Sequence, residues 1–153
     1  GCIQFFKSLD MTVIDKFCHL YRDLVAFDIS DLGKIYAQNI VFEDPVATHT
    51  GLRSVEQYFE KLLVSAKQCD FAIHNVISCE STTENIDYVV TWTMDLILDG
   101  QSRHIKLDGI TQLKITDDLI VYHRDYYDLG QMVYEHVPVV GWLVKKIKQR
   151  LGA

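Results

Sequence analysis

His123 and Asp125 stand two residues apart in a run, 119–129, whose β-branched and aromatic content predicts a strand. Side chains two apart on a strand point the same way. An imidazole and a carboxylate so placed can flank a bound group, one giving a proton and the other taking it. The same pair also suits a sheet interior, where a buried histidine and aspartate simply satisfy each other. As metal ligands they would need a third partner, and the sequence places none; no metal site is expected. Asp44 ends a short apolar run just before Pro45, where an aspartate commonly binds backbone N–H groups. Cys2, Cys18, Cys69 and Cys79 are scattered without C-x-x-C spacing, so they read as reduced thiols rather than ligands or bridges. His49 reads as part of a solvated loop after Pro45.

Positioning these groups falls to elements with two different periods. Apolar residues recur at helical spacing over 12–25 (Ile14, Phe17, Cys18, Tyr21, Leu24, Val25), with Asp10 or Thr12 as the cap. A shorter helix is expected over 30–37, then a strand over 39–45 that Pro45 stops. Ser54 and Gln57 have the spacing of a capping box for a third helix reaching Ala66. Beyond Cys69 the period falls to two, giving strands over 71–81, 86–98, 104–115 and 119–129, punctuated by Asn85, Asp99-Gly100 and Asp117-Asp118. Helices followed by an antiparallel meander predict an α+β domain with its helices on one face of the sheet. Along 86–98, Tyr88, Val90, Trp92, Met94, Leu96 and Leu98 make one apolar face. Along 104–115, Thr111 is the lone polar side chain among Ile105, Leu107, Leu113 and Ile115. The last strand is ambiguous alone: Val121, His123, Asp125 and Tyr127 on one face, Tyr122, Arg124, Tyr126 and Asp128 on the other.

With 153 residues, 48% of them hydrophobic, the chain fits one domain, 1–153, with a core over about 12–130 and a further helix over about 131–151, bent near Pro138 and Gly141. A net charge of −6 argues against general affinity for nucleic acid. Residues 1–7 lack the basic start and long apolar middle of a signal peptide, and no apolar run approaches a membrane span; a cytoplasmic location is the expectation.

The stretch 28–46 (DISDLGKIYAQNIVFEDPV), the passage from Gly51 into a helix, the strand 92–101 and the closing His-Arg-Asp-Tyr-Tyr-Asp resemble, in order, bacterial ketosteroid isomerases and the SnoaL-like branch of the nuclear transport factor 2-like superfamily. The resemblance implies a cone: N-terminal helices packed on a curved antiparallel sheet around a small-molecule pocket. It places Asp44 where the isomerases hold their proton-shuttling base, and a carboxylate desolvated at the lip of an apolar cavity suits proton abstraction beside a carbonyl. It also places His123, Asp125 and Tyr127 in the pocket lining, with Tyr36 and Trp92 in or behind it. The isomerases' oxyanion donors are not matched: Leu20 falls at the first-helix tyrosine position and Thr111 at the sheet aspartic acid position, so steroid isomerisation by that route is not expected.

What the resemblance implies instead is a cofactor-independent isomerase, cyclase or dehydratase acting on an apolar carbonyl compound. Asp44 or Asp125 would remove a proton, His123 would donate to the oxyanion, and Tyr36, Trp92, Thr111 and Tyr127 would position the ligand. A non-catalytic carrier and a dimeric interaction domain are the alternatives on the same scaffold. The superfamily's habit of pairing through sheets implies a homodimer, for which the face bearing Tyr122, Arg124, Tyr126 and Asp128 is suited. In the last helix, Val139, Val140, Leu143, Val144, Ile147 and Leu151 span an arc of about 140°. Lys145, Lys146 and Lys148 lie mostly opposite, with Trp142 near the edge. Such a helix either packs on its own domain or a dimer mate, or touches an anionic lipid surface.

Overall fold

The computed structural model describes residues 11–80, 83–99, 104–132 and 138–152. Cys2, His136 and the side chains of Val139 and Val140 lie outside what it describes.

Helix α1, Val13–Arg22, begins with a capping box: Thr12 accepts from the Asp15 N–H, and Asp15 reaches back to the Thr12 backbone. Its buried face is Val13, Phe17, Leu20 and Tyr21. Both ends are tied to the sheet, because the Val13 N–H donates to Asp118 and the Leu24 N–H donates to the Cys69 carbonyl. The helix expected over 30–37 is a single stretch of 3₁₀ helix, Ile29–Lys34, capped by Asp28. Tyr36 belongs instead to strand β1, Tyr36–Glu43, because its partner is the distant Ile120. Strand β2 is only Thr48–Thr50.

Helix α2, Leu52–Ser65, starts earlier than a Ser54 cap would allow. Gly51 is its N-cap at φ +89°, a left-handed conformation that glycine adopts at little cost, and its N–H donates to the Ile40 carbonyl. The expected capping box between Ser54 and Gln57 does not form. Leu52, Val55 and Phe59 are its buried stripe. The chain then enters strand β3, Ala66–Ser78, without a loop, several residues earlier than the period alone indicated.

Strands β4 (Tyr88–Leu98), β5 (His104–Thr116) and β6 (Leu119–Tyr127) complete the meander. The sheet order is β2-β1-β6-β5-β4-β3. All neighbours run antiparallel except β1 and β6, which are parallel, so the sheet is mixed rather than purely antiparallel. Asp117 and Asp118, both at positive φ, form the two-residue turn between β5 and β6, as their types foretold. Irregularities in β3 at Ala66/Gln68 and Ile73/Asn75, and in β6 at Val121, which the pairing of Lys114 with Tyr122 and of Ile115 with Ile120 leaves out, bend the sheet around the helices. The expected faces hold: Val90, Trp92, Met94, Leu96, Ile105, Leu107, Leu113 and His123 are buried. On the outer face Lys114 lies over the Tyr122 ring and Arg124 over that of Tyr126. The short helix α3, Leu129–Met132, and helix α4, Pro138–Gly152, follow the sheet.

Trp92 lies directly opposite Gly109 on the neighbouring strand, and its ring covers that residue so closely that a methyl group there would overlap it. Gly109→Ala should therefore cost about 1–3 kcal/mol by overpacking. Urea unfolding measures this, and a stability equal to that of the unchanged protein would show that the ring can move aside.

Candidate functional site

The meeting of α1, β1, α2 and the inner face of the meander encloses a cavity of about 60 Å³. Pockets for drug-sized ligands run to roughly 300–1,000 Å³, so bulky side chains fill most of this cone. The wall is chiefly apolar and aromatic, with Phe42, Phe59, Phe71, Trp92 and Met94 contributing. Its polar members are Tyr21, Asp44, Tyr58, Asp125 and Tyr127, together with the thiol of Cys69.

Asp44 owes its orientation to the turn at Pro45. Its Oδ1 accepts from the backbone N–H groups of Val46 (2.8 Å) and Ala47 (2.9 Å). Its Oδ2 is left with a long contact, 3.5 Å, from the Tyr58 hydroxyl. One carboxylate oxygen is thus fixed and the other is available. Tyr58 packs its ring against His49, 4.7 Å between centroids. His49 therefore sits on β2 against the aromatic cluster rather than in a solvated loop, and its Nε2 has no hydrogen-bond partner among the described residues.

Behind the opposite wall runs a chain of hydrogen bonds through the core. Trp92 Nε1–H donates to Thr111 Oγ1 at 2.9 Å, and Thr111 bonds Asp125 Oδ1 at 2.5 Å. His123 Nε2 lies 2.8 Å from the same oxygen, and its Nδ1 lies 2.9 Å from the Tyr36 hydroxyl. Tyr36 in turn meets the Tyr21 hydroxyl at 2.8 Å. The register explains the meeting, since Thr111 is directly opposite Asp125, Leu113 opposite His123, and His123 beside Phe42. Phe42 stacks on the His123 ring with centroids 4.1 Å apart.

Donor counting sets the direction of this chain. An indole N–H only donates and a hydroxyl has one proton, so Thr111 accepts from Trp92 and donates to Asp125. The same carboxylate oxygen then accepts His123 Nε2–H. With the ring neutral, Nδ1 carries a lone pair and takes the Tyr36 O–H, while the Tyr36 oxygen takes the Tyr21 O–H. A second proton on the ring reverses both hydroxyls. Nδ1–H then donates to Tyr36, Tyr36 donates to Tyr21, and Tyr21 turns its own O–H toward the cavity.

Asp44, Trp92, Asp125 and Tyr127 lie in the cavity wall, where they were expected. Tyr36, Thr111 and His123 are buried behind it, outside the lining. His123 is 1% exposed with both ring nitrogens engaged, so the direct donation to a ligand that the resemblance implies does not occur. It can act only through Tyr36 and Tyr21. The first-helix side chain in the lining is Tyr21, one position beyond Leu20. Tyr58 on α2, which the sequence does not single out, reaches Asp44. The one sequence signal for both is a tyrosine on an otherwise apolar helix face.

Burial pushes the Tyr21, Tyr36, Tyr58 and Tyr127 hydroxyls well up from their usual range, and neighbouring hydroxyls and carboxylates add to the effect for Tyr21, Tyr58 and Tyr127. Burial, helped by Asp70 and Asp23, pushes the Cys69 thiol up to about 12. The folded protein therefore holds protons that the unfolded chain releases, first from Cys69 above its ordinary value of 9.0. Stability must then fall as pH rises from about 9 toward 12. A melting temperature that stays level from pH 8 to 11 would contradict this, and Cys69→Ala should soften the decline between pH 9 and 10. Within the chain, Tyr36→Phe leaves His123 Nδ1 and the Tyr21 O–H without partners and should cost about 1–3 kcal/mol. Tyr58→Phe loses only a long contact to a half-buried carboxylate and should cost less than about 1 kcal/mol. Equal costs in urea unfolding would deny the chain its structural weight.

A family model described as SnoaL-like domain matches residues 17–123. No curated protein is significantly similar to the chain. Among solved structures, a hypothetical protein with ketosteroid isomerase-like fold from Catenulispora acidiphila, in complex with trimethylamine, superposes with a TM-score of 0.66 at 14% identity, covering 78% of this chain and 87% of that one. An LEH-like epoxide hydrolase of M. tuberculosis gives 0.63 at 15%, over 78% and 83%. A candidate SnoaL-like polyketide cyclase from Shewanella putrefaciens gives 0.63 at 18%, over 78% and 90%. At such identities these neighbours speak for the fold alone. The family match over most of the cone, and a sheet wrapped on helices as in those structures, establish that the chain belongs to the SnoaL-like domain family of the nuclear transport factor 2-like superfamily.

Proposed function

We propose that the cavity moves protons on a small carbonyl compound, or on the carbonyl end of a larger one. The observation that carries this reading is Asp44: one oxygen is pinned by two backbone N–H groups, and the other is available at the wall of an apolar cavity that Tyr21 also lines. In this reading Asp44 Oδ2 takes the proton from the carbon next to the carbonyl. The electron pair moves onto the carbonyl oxygen, which Tyr21 meets with its O–H when His123 is cationic. Asp44 then returns its proton to another carbon, or the reaction continues to ring closure or loss of water. His123 is a positioning residue that sets the polarity of Tyr21 through Tyr36. Asp125 holds the imidazole from its other side. Trp92 and Tyr127 shape the space. A carrier that binds without turnover, one of the alternatives on the same cone, draws on the same apolar wall.

The size of the cavity supports a small reacting end. The polyketide cyclase and epoxide hydrolase descriptions of neighbours with this fold are in keeping with acid–base work.

A panel of small ketones and enones in heavy water, followed by NMR for loss of the proton next to the carbonyl, tests the reading. Asp44→Asn should lower exchange by roughly 10²–10⁴-fold while ligand affinity is kept, the usual weight of a positioned general base. Tyr21→Phe should lower it as well. Exchange that is indifferent to Asp44→Asn would remove the catalytic role. Tight binding with no exchange in the unchanged protein would favour the carrier.

A further inference from the structure

We propose that α4 is a docking face for an anionic lipid bilayer, lying flat on it and carrying the cone at the membrane surface. This rests on none of the acid–base reading above. Three observations meet on this helix.

Its charge is of one sign. Lys145, Lys146, Lys148 and Arg150 fall within the fifteen residues of Pro138–Gly152 without a single acid, in a chain whose net charge is −6. Its attachment to the domain uses one side only. Lys148 pairs with Asp128, Gly141 is buried, and Val144 packs against Gly130 so closely that a methyl group on that glycine would crowd it. Outside that attachment the large apolar side chains stand open to water: Trp142 is 59% exposed, Leu143 46%, Ile147 57% and Leu151 83%. Lys146 lies over the Trp142 ring at 4.8 Å, and with Arg150 it borders a shallow groove floored by Leu143 and Ile147.

Large apolar side chains standing in water cost free energy, and a folded domain shows such a patch when something covers it. Here the cover must suit apolar side chains and cations together. A second copy meeting α4 with its own α4 would set lysines against lysines, with no acid on either helix to offset them. An anionic bilayer suits both sets at once. Leucine, isoleucine and tryptophan enter the boundary between headgroups and acyl chains, and lysine and arginine stretch their stems along it to reach phosphates. At about 1.5 Å per residue the helix is roughly 22 Å long, short of the ~30 Å hydrocarbon core. No helix among the described residues is long and apolar enough to cross a membrane. A helix of this kind lies in the interface.

The experiment is sedimentation of the full chain with vesicles of phosphatidylcholine alone or mixed with phosphatidylglycerol. Trp142 fluorescence is recorded in parallel, since Trp92 is 4% exposed and shielded from the lipid. Binding to the anionic vesicles, a blue shift of Trp142, and roughly tenfold or weaker binding to the neutral ones are expected. Lys145→Gln with Lys146→Gln should weaken binding roughly thirtyfold, and salt at half molar should also weaken it by screening. Leu143→Asp with Ile147→Asp, at exposed positions the fold does not need, should abolish it. Three results would overturn the proposal: no sedimentation with anionic vesicles, sedimentation unchanged by the double aspartate variant, or a dimer in solution that this variant turns into monomer. The last would assign the face to a second copy of the chain.

Discussion

A buried imidazole tolerates few arrangements around it, and much of this protein is organised by the one at His123. Both ring nitrogens are bonded, one to Asp125 and one to Tyr36, and Phe42 stacks on the ring face. A polar atom left unpaired at that depth costs about 1–3 kcal/mol, a sizeable part of a domain's net stability. The ring therefore fixes the register of β6 against β1, the depth of Tyr36, and through Tyr36 the position of α1. Few pairings other than the one observed would satisfy both nitrogens at once.

The same ring joins two kinds of work. Trp92, Thr111, Asp125, His123, Tyr36 and Tyr21 form one continuous hydrogen-bonded path, so the group holding the core together also determines what the cavity wall presents. Chains of this kind polarise along their length. A proton gained at the centre alters the hydroxyl at the end without any change of shape.

Much of the fold could be read from the sequence because its strands are long and alternate cleanly. The faces of β4 and β5 followed from the period of two, and Asp117-Asp118 announced the turn that leads into β6. The misreadings are local signals that distant partners overrule. Tyr36 continues a helical spacing by itself, but Ile120 pairs with it and draws it into β1. Ser54 and Gln57 have capping-box spacing, but Gly51 turns the chain first. β2 is too short to show any period, so His49 looked like loop. At the site, residue type marked Asp44, Thr111, His123 and Asp125, while the family resemblance added Trp92 and Tyr127 and settled which way the last strand faces. Neither was enough to separate wall from backing. That distinction depends on which hydrogen bonds are already spent, and Thr111 and His123 spend theirs on the protein. Choosing Tyr21 over Leu20 needed the helix's rotation about its axis, which the ties at Val13 and Leu24 supply.

The covering of Gly109 by Trp92 has a bearing on how such a protein can change over generations. A side chain larger than hydrogen at 109 meets the Trp92 ring, and a smaller residue at 92 relieves that overlap. Losing the indole also widens the cavity and removes the donor that holds Thr111 toward Asp125. At this position, therefore, the room available to a ligand and the polarity of its wall change together. A route to a larger ligand through residue 92 passes through a rewired Asp125.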